Sequence, residues 1–462
     1  MVTMVKENVS HKDQTQIATM LEAMFGTPDN PYVLPESGLS LAKIEKSAGP
    51  VWSDRYGKSR GLYRQHCGHC HGTTGDGMGP TASILNPYPR DYRQGKFKFK
   101  STERAAMPTT ADLMRVLHEG VNGTAMPSFV LLPQDEIESL VEYVKYLSMR
   151  GMTEIALVNK LVTELGEGES LPETKEFLVG EVLKTIADNW TNAPEQIVYP
   201  PERSEQEFAA SVIKGREIFN GAAGQCAKCH GPTALGDGQT SDYDDWNKPL
   251  HELELAIAAS PAAIAKSRAD LSEEKDLTPD ERQKRAAEID ADEARMAELA
   301  VLIKNETLPV RTAIPRNLRQ GIYRGGRRPL DLFRRISAGI NGVPMPGIGP
   351  STKGAQGTVS PEDIWHIVDY VRSLPHDPLS NPIPAGRVRL PAETVDAAPP
   401  AASGHAVTAQ PARSQPVKSQ SADPESATDK SAAADSAVRG PAATGSAGGG
   451  ASVASNERNE SN

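Results

Sequence analysis

The chain has 462 residues, which is long for one ordinary domain and suits two or three. Aromatic residues make up only 5% of it, so a core built from side chains alone would be thin for this length. Large cofactors inside small domains, together with a sizeable disordered fraction, would account for that composition. The formal net charge of −10 argues against nucleic acid as a partner.

Composition and hydrophobic periodicity divide the chain into five segments. In order they are an N-terminal extension (1–50), a segment with a first cysteine motif (51–150), a helical linker (151–208), a segment with a second cysteine motif (209–377) and a tail (378–462). The tail is rich in Ala, Ser, Pro and Gly, so we expect it to be disordered. An insertion at about 248–308 in the fourth segment is rich in Ala and charged residues. It predicts an exposed helix or helical hairpin. This element is either a solvent-exposed extension without a partner or a docking element for a partner protein.

The two cysteine motifs use every cysteine in the chain. In each, two residues separate the cysteines and a histidine follows directly: Cys67, Cys70 and His71 in the first, Cys226, Cys229 and His230 in the second. This spacing is the attachment site of c-type haem. The two thiols add across the vinyl groups of one porphyrin, and the histidine is then placed beneath the iron as an axial ligand. The chain therefore predicts two covalently attached haem c groups, each with its iron.

Other interpretations of the cysteine motifs fit less well. A thioredoxin-like redox pair needs a surrounding βαβ pattern, and none is visible. A zinc site could use the four thiols, but it would leave the histidines and a repeated methionine unexplained.

The sequence around each motif repeats, which marks two copies of one unit. Gly75-Asp76-Gly77 recurs as Gly236-Asp237-Gly238, Pro89–Gly95 as Pro315–Gly321, and Asp112–Pro127 as Asp331–Pro346. Each unit then closes with apolar residues at helix-face intervals, Ile137 to Leu147 in the first unit and Ile364 to Leu374 in the second.

The second axial ligand of each iron should be Met or His. Met126 and Met345 occupy the same repeat position, each in Asn-Gly-x-x-Met-Pro, and we expect them to be these ligands. His118 is the histidine alternative in the first unit, but its repeat partner is Ser337. With protein ligands on both sides, iron exchanges electrons and does not bind a substrate, which favours a carrier over an enzyme.

Each unit resembles a class I cytochrome c domain, with a helix entering Cys-x-x-Cys-His, a glycine-rich loop, a helix leading to Met and a closing helix. The resemblance implies a mainly α fold: two cytochrome c-like small helical haem domains joined by a helical linker, followed by the disordered tail. It implies thioether bonds at the four cysteines, proximal ligands at His71 and His230, and distal ligands at Met126 and Met345.

The resemblance also predicts how the proximal histidine is held. In that family a Gly-Pro after the motif lets its carbonyl bond the proximal imidazole, and Gly79-Pro80 fits. In the second unit Gln239 and Thr240 follow Gly238, which puts the orientation of His230 in question.

Four arginines lie in the repeated Pro-Arg-x-x-Arg-Gln-Gly segment. They are Arg90, Arg93, Arg316 and Arg319. A guanidinium there could neutralise a haem propionate. The alternative is an ordinary solvated loop arginine.

These features predict a dihaem cytochrome that transfers electrons between respiratory redox partners. A quinol-oxidising complex or another cytochrome would be the donor, and a terminal oxidase or reductase the acceptor. The alternative is a dihaem enzyme such as a cytochrome c peroxidase or a thiosulfate dehydrogenase, which usually needs one haem with an open or unusual axial site.

The place of action follows from the cofactor. Covalent haem attachment is normally done after export, so we expect a periplasmic or other extracytoplasmic location. The first 50 residues lack a signal pattern, so the hypothesis is that the true start lies upstream or that the signal was removed. No stretch reaches the roughly 18–20 apolar residues that cross a bilayer, and association with a membrane would run through a partner.

Overall fold

The computed structural model describes residues 7, 9–53, 55, 59–166, 168–203, 207–351 and 354–376. The tail predicted to be disordered, 378–462, lies outside these residues. Helices dominate the described part, beside two short antiparallel ribbons of two strands each. The predicted mainly helical fold is confirmed. None of the described helices combines the length and the apolar character that a membrane span requires.

The first half of the fold is a series of helices around one long helix. In order it contains α1 (His11–Phe25), α2 (Leu41–Ser47), β1 (Trp52–Ser53), β2 (Ser59–Arg60), α3 (Leu62–His66), α4 (Gly68–His71), α5 (Thr110–Glu119) and α6 (Gln134–Glu164). Helix α5 begins with a capping box in which Thr109 and Asp112 satisfy each other's backbone N–H. Helix α6 runs through residue 150 without a break, so the first unit and the linker share it.

The N-terminal residues pack onto the first unit. Ile17 of α1 and Ile44 of α2 are fully buried in the same apolar cluster as the inner face of α6. The Tyr146 hydroxyl of α6 donates a hydrogen bond of 2.8 Å to the Phe25 carbonyl at the end of α1. Helices α1 and α2 therefore belong to the first core.

The linker covers another side of that core. A π-helical segment (Glu176–Leu183) continues directly into α7 (Lys184–Thr191). Leu183 is fully buried, and the Trp190 ring lies edge-on to Phe97 at 5.7 Å. The linker is thus packed structure.

The second unit has its own, smaller core. Its elements are α8 (Phe208–Asn220), α9 (Cys226–His230), α10 (Asn247–Glu273), α11 (Pro279–Glu306), α12 (Pro329–Ala338), β3 (Gly339–Ile340), β4 (Met345–Pro346) and α13 (Pro361–Ser373). Helices α8 and α13 approach closely at Gly215, where a Cβ would lie 2.0 Å from the His366 carbonyl oxygen. Beside this crossing, the Ser211 hydroxyl donates to the fully buried Asp369 carboxylate at 2.6 Å.

The insertion is a helical hairpin formed by α10 and α11. Leu253 and Leu299 are buried between the two helices, while most of the other side chains face solvent. Arg268 of α10 pairs with Asp290 and Glu293 of α11 at 2.8 and 2.5 Å. Such exposed pairs add little stability. The hairpin is therefore stabilised mainly by the few apolar contacts between its two helices.

The two cysteine-bearing units contact each other directly within one compact body. Arg115 of α5 lies 3.4 Å from Asp331 at the start of α12. Lys98 lies 3.4 Å from Asp244, which precedes α10. Charged side chains of the first unit thus meet carboxylates of the second.

One apolar contact joins equivalent positions of the two units. Phe99 and Gly325 lie four residues after Gly95 and Gly321, the ends of the repeated Pro-Arg segments. Gly325 has a φ of +77°, and a Cβ there would lie 2.3 Å from the Phe99 ring. Only glycine fits at this position.

Candidate functional site

The first cysteine motif lies at the junction of two short helices. Helix α3 ends at His66, the backbone turns at Cys67, and α4 carries Cys70 and His71. Cys67 is buried in the first core, and burial raises the pKa of its thiol to about 12. The Cys70 sulfur lies 3.2 Å from the Thr81 hydroxyl oxygen. The Cys70 and His71 N–H groups donate to the Cys67 carbonyl at 3.1 and 2.9 Å, so the two free cysteines lie one turn apart at the start of α4.

Each motif histidine is oriented by a backbone carbonyl. His71 Nδ1 lies 3.0 Å from the Arg90 carbonyl oxygen, and His230 Nδ1 lies 3.2 Å from that of Arg316. Burial lowers the pKa of His71 to about 4 and also lowers the pKa of His230. Neutral imidazole is the form that ligates a metal, and a hydrogen bond at Nδ1 leaves Nε2 for that role.

The structure differs from the expectation that a carbonyl of Gly79-Pro80 bonds the His71 imidazole. The Gly79 N–H donates to the Cys70 carbonyl at 3.0 Å, and a Cβ on Gly79 would lie 2.5 Å from the His69 carbonyl oxygen. Gly79 is therefore needed for close packing behind α4. The carbonyl that holds His71 comes instead from Arg90, in the repeated Pro-Arg segment.

The same geometry answers the question about His230. Gly77 and Gly236 donate to the His71 and His230 carbonyls at 2.9 and 2.8 Å, so these two glycines are equivalent. The two Gly-Asp-Gly triplets that match in sequence are therefore shifted by two residues in the structure, where Gly77 corresponds to Gly236 and not to Gly238. Since Arg316 supplies the carbonyl, His230 is held as His71 is, although the second loop lacks the proline.

The methionine loops of the two units also share a backbone conformation. Gly120 and Gly339 both have positive φ, +66° and +76°, and a Cβ on either would lie within 2.8 Å of the Met126 or Met345 carbonyl oxygen, respectively. Met126 is partly buried against the core that contains Cys67 and Met107. The side chains of both predicted ligands therefore start from equivalent backbone positions.

The second motif borders a cavity of about 1820 Å³. Its wall includes Cys226, Cys229, His230 and Met345. Residues of the first unit and of α6, among them Arg90 and Ile155, contribute to the same wall. The volume exceeds the roughly 300–1,000 Å³ typical of small-molecule sites. The structure thus brings the predicted thiols, proximal ligand and distal ligand of the second unit around one space.

Two arginines in this wall have buried nitrogens that no described residue satisfies. Arg316 Nε and Arg324 Nε lack a hydrogen-bond partner there, and burial lowers the pKa of both, that of Arg324 to about 10. Buried donors are normally paired, and the two propionates of a haem would supply acceptors for them.

Arg324 was missed by the sequence reasoning although a signal existed. It lies three residues after Gly321, where the first unit has Lys98 after Gly95, so a basic residue recurs at this position. Burial lowers the pKa of Lys98 to about 7, and Lys98 also lines the cavity.

The other predicted arginines have partners within the protein, although Arg90 and Arg93 also line the cavity. Arg93 forms two hydrogen bonds with Asp91, at 2.9 and 3.0 Å. Arg319 Nε donates to the Thr233 carbonyl at 2.7 Å. The Arg90 guanidinium covers the Trp246 ring, 3.6 Å from its centroid, at the border between the units.

Comparison with known proteins identifies the first unit. Residues 55–144 match the family model described as cytochrome C oxidase, cbb3-type, subunit III. No curated protein matches the chain. Among solved structures, the Kuenenia stuttgartiensis reducing HAO-like protein complex Kustc0457/Kustc0458 aligns over 68% of this chain and 94% of that chain, at 19% identity. Its TM-score of 0.39 is too low to indicate a shared fold. The match over residues 55–144 therefore supports a c-type cytochrome domain there, and a domain of this kind implies covalently bound haem c.

Proposed function

We propose that the chain is a dihaem c-type cytochrome that transfers electrons between redox partners outside the cytoplasm. The observation that carries the proposal is the shared geometry of the two motifs. In both, a carbonyl of the Pro-Arg segment orients the histidine after Cys-x-x-Cys, and in the first unit this motif lies inside the cytochrome domain.

The chain's own residues have defined tasks in this proposal. Four cysteines would hold the two groups covalently, and His71 with Met126, and His230 with Met345, would ligate the irons. Arg316 and Arg324 would neutralise propionates of the second group. Haem c supplies a one-electron ferrous–ferric couple when it is bound.

Direct contact between the two cysteine-bearing units supports electron transfer from one unit to the other within one molecule. Arg115 and Asp331 join the units, as do Lys98 and Asp244. A donor such as a quinol-oxidising complex or another cytochrome would reduce one unit, and an oxidase or reductase would accept from the other. An extracytoplasmic location follows from covalent haem attachment, which normally takes place after export.

A dihaem enzyme is the second candidate, and one observation favours it. The cavity beside His230 is larger than a usual ligand site, so a substrate would have space beside a haem bound there. A cytochrome c peroxidase or a thiosulfate dehydrogenase would keep one axial position open or labile.

Two measurements test these alternatives. The mass of the holo-protein, exported with a supplied signal peptide, should exceed that of the polypeptide by two haems. A potentiometric titration should then show two high-potential transitions and the far-red methionine–iron band in the oxidised form. One haem by mass would contradict the dihaem proposal, whereas two haems with one high-spin or low-potential centre would favour the enzyme.

A further inference from the structure

The methionine loop of the second unit is held by a side chain of the first unit. Arg104, which precedes α5, donates from Nη1 to the Met345 carbonyl at 3.1 Å and from Nη2 to the Val343 carbonyl at 2.9 Å. The guanidinium is a planar fork with donors in fixed positions. A single side chain therefore fixes two carbonyls on either side of Pro344, one of them belonging to the predicted ligand.

Contacts from its own unit hold this loop at several backbone positions. Strands β3 and β4 are two residues each, pairing Gly339 with Pro346 and Ile340 with Met345. Within the loop, the Met345 N–H donates to the Val343 carbonyl at 2.8 Å. At the other end of the loop, the Asp245 N–H donates to the Gly342 carbonyl at 3.1 Å. Such a short ribbon is marginal by itself, so the fork of Arg104 adds a restraint at Met345 itself.

A second contact from outside the ribbon reaches the same loop. Gly342 packs against the Trp246 ring, where a Cβ would lie 2.2 Å from the indole. Trp246 in turn lies under the guanidinium of Arg90 from the first unit. The loop thus lies against a surface that the first unit helps to build.

We propose that Arg104 is a positioning residue for Met345, so that the first unit controls the axial coordination in the second. The inference rests on the proposed function, because it requires Met345 to bind iron. Without the fork, the loop gains freedom and the thioether occupies its ligating position for a smaller fraction of the time. Loss of methionine ligation lowers the potential of that haem.

Arg115 provides a matched control. It is also an arginine of the first unit that reaches the second, but it ends on Asp331 and the Gly325 carbonyl, each at 3.4 Å, and not on the methionine loop. Replacing Arg115 removes a contact between the units and leaves both carbonyls of the loop with their partner. An effect specific to Arg104 therefore concerns the ligand and not docking in general.

The experiment compares holo-protein variants by their far-red band and by redox titration. Met345→Ala first identifies the part of the band, and the transition, that belong to Met345. Arg104→Ala should reduce that part at least twofold and lower the same transition, while Arg115→Ala leaves both unchanged. In the Met345→Ala background, Arg104→Ala should have no further effect. Arg104→Lys, which keeps the charge but loses the fork, covers the case in which the alanine variant folds poorly, and it should show the same loss.

The outcomes separate two failures. An unchanged Met345-dependent band in both Arg104 variants, or an equal loss in Arg115→Ala, overturns the role of Arg104 and leaves the dihaem proposal standing. If Met345→Ala itself changes neither band nor transition, the assigned ligand of the proposed function is wrong, and the inference is overturned with it.

Discussion

The two units carry the same motif in different surroundings. In the first, Cys67 and His71 are buried, and the His71 ring stacks on Tyr92 at 4.7 Å. In the second, both cysteines and His230 remain partly exposed beside a large cavity. Leu318 takes the place of Tyr92, because both donate their N–H to equivalent carbonyls of the preceding loop.

Under the proposed function, one backbone design permits two ways to tune a redox centre. Burial and nearby charge are both levers on haem potential. The first unit relies on an apolar core that extends through α1, α2 and the linker. The second has a smaller core and relies on arginines in its cavity wall. The comparison predicts that equivalent changes in the two units have unequal effects.

The largest expected effect comes from removing the attachment cysteines of one unit at a time. Each double alanine variant should lose one of two haems by mass. Because the first motif is enclosed by apolar side chains, Cys67→Ala with Cys70→Ala should also lower the amount of folded protein several-fold. Cys226→Ala with Cys229→Ala should fold more nearly normally, since both cysteines are already partly exposed to water. Equal yields of the two double variants would contradict this difference between the units.

A smaller effect concerns the carboxylate at the border between the units. Asp331 has a side chain only 2% exposed and pairs with Arg328 and Arg115. Asp331→Asn should lower the free energy of unfolding by about 3 kcal/mol, at the low end for a buried pair because Arg328 is half exposed. Denaturant unfolding measures it, and Glu119→Gln, which removes an exposed partner of Arg115, should cost less than about 0.5 kcal/mol.

The pH dependence of stability tests the same carboxylate. Burial alone would raise the pKa of Asp331, but the Arg328 hydrogen bond and the charge of Arg115 outweigh it and hold the pKa below its usual value. A carboxylate with a lowered pKa stabilises the fold above its unfolded pKa of about 3.9 and loses that contribution as pH falls through the folded value. The parent should therefore lose more stability on acidification than Asp331→Asn does, and parallel curves would exclude this role.

The smallest effect is electrostatic. Arg324→Gln removes a positive charge from the wall of the second cavity, which favours the ferric state and should lower that haem's potential by about 30–60 mV, where 59 mV is a tenfold change for one electron. Arg319→Gln is the control, because the Arg319 guanidinium donates to the Thr233 carbonyl. Equal shifts in the two variants would show that Arg324 has no special position.

Sequence reasoning predicted the helical fold because the apolar spacing of the closing helices is local information. It also led to the motif residues of the second unit, which the structure places around one cavity. It misaligned the glycine loops because it matched letters, whereas Ala234 adopts the positive φ of +61° at the position of Gly75. It could not find Arg104, since that contact spans 241 positions and has its basis in docking of the units.

The contact between Phe99 and Gly325 bears on how copies of this protein meet one another. The two positions are equivalent, yet one carries a ring and the other has no room for a methyl group. Two first units from different molecules would bring phenylalanine against phenylalanine, and two second units would leave a gap. The contact surface therefore favours a first unit packed on a second unit over two like units. Because each chain supplies one unit of each kind, a single molecule can form this contact without a second copy.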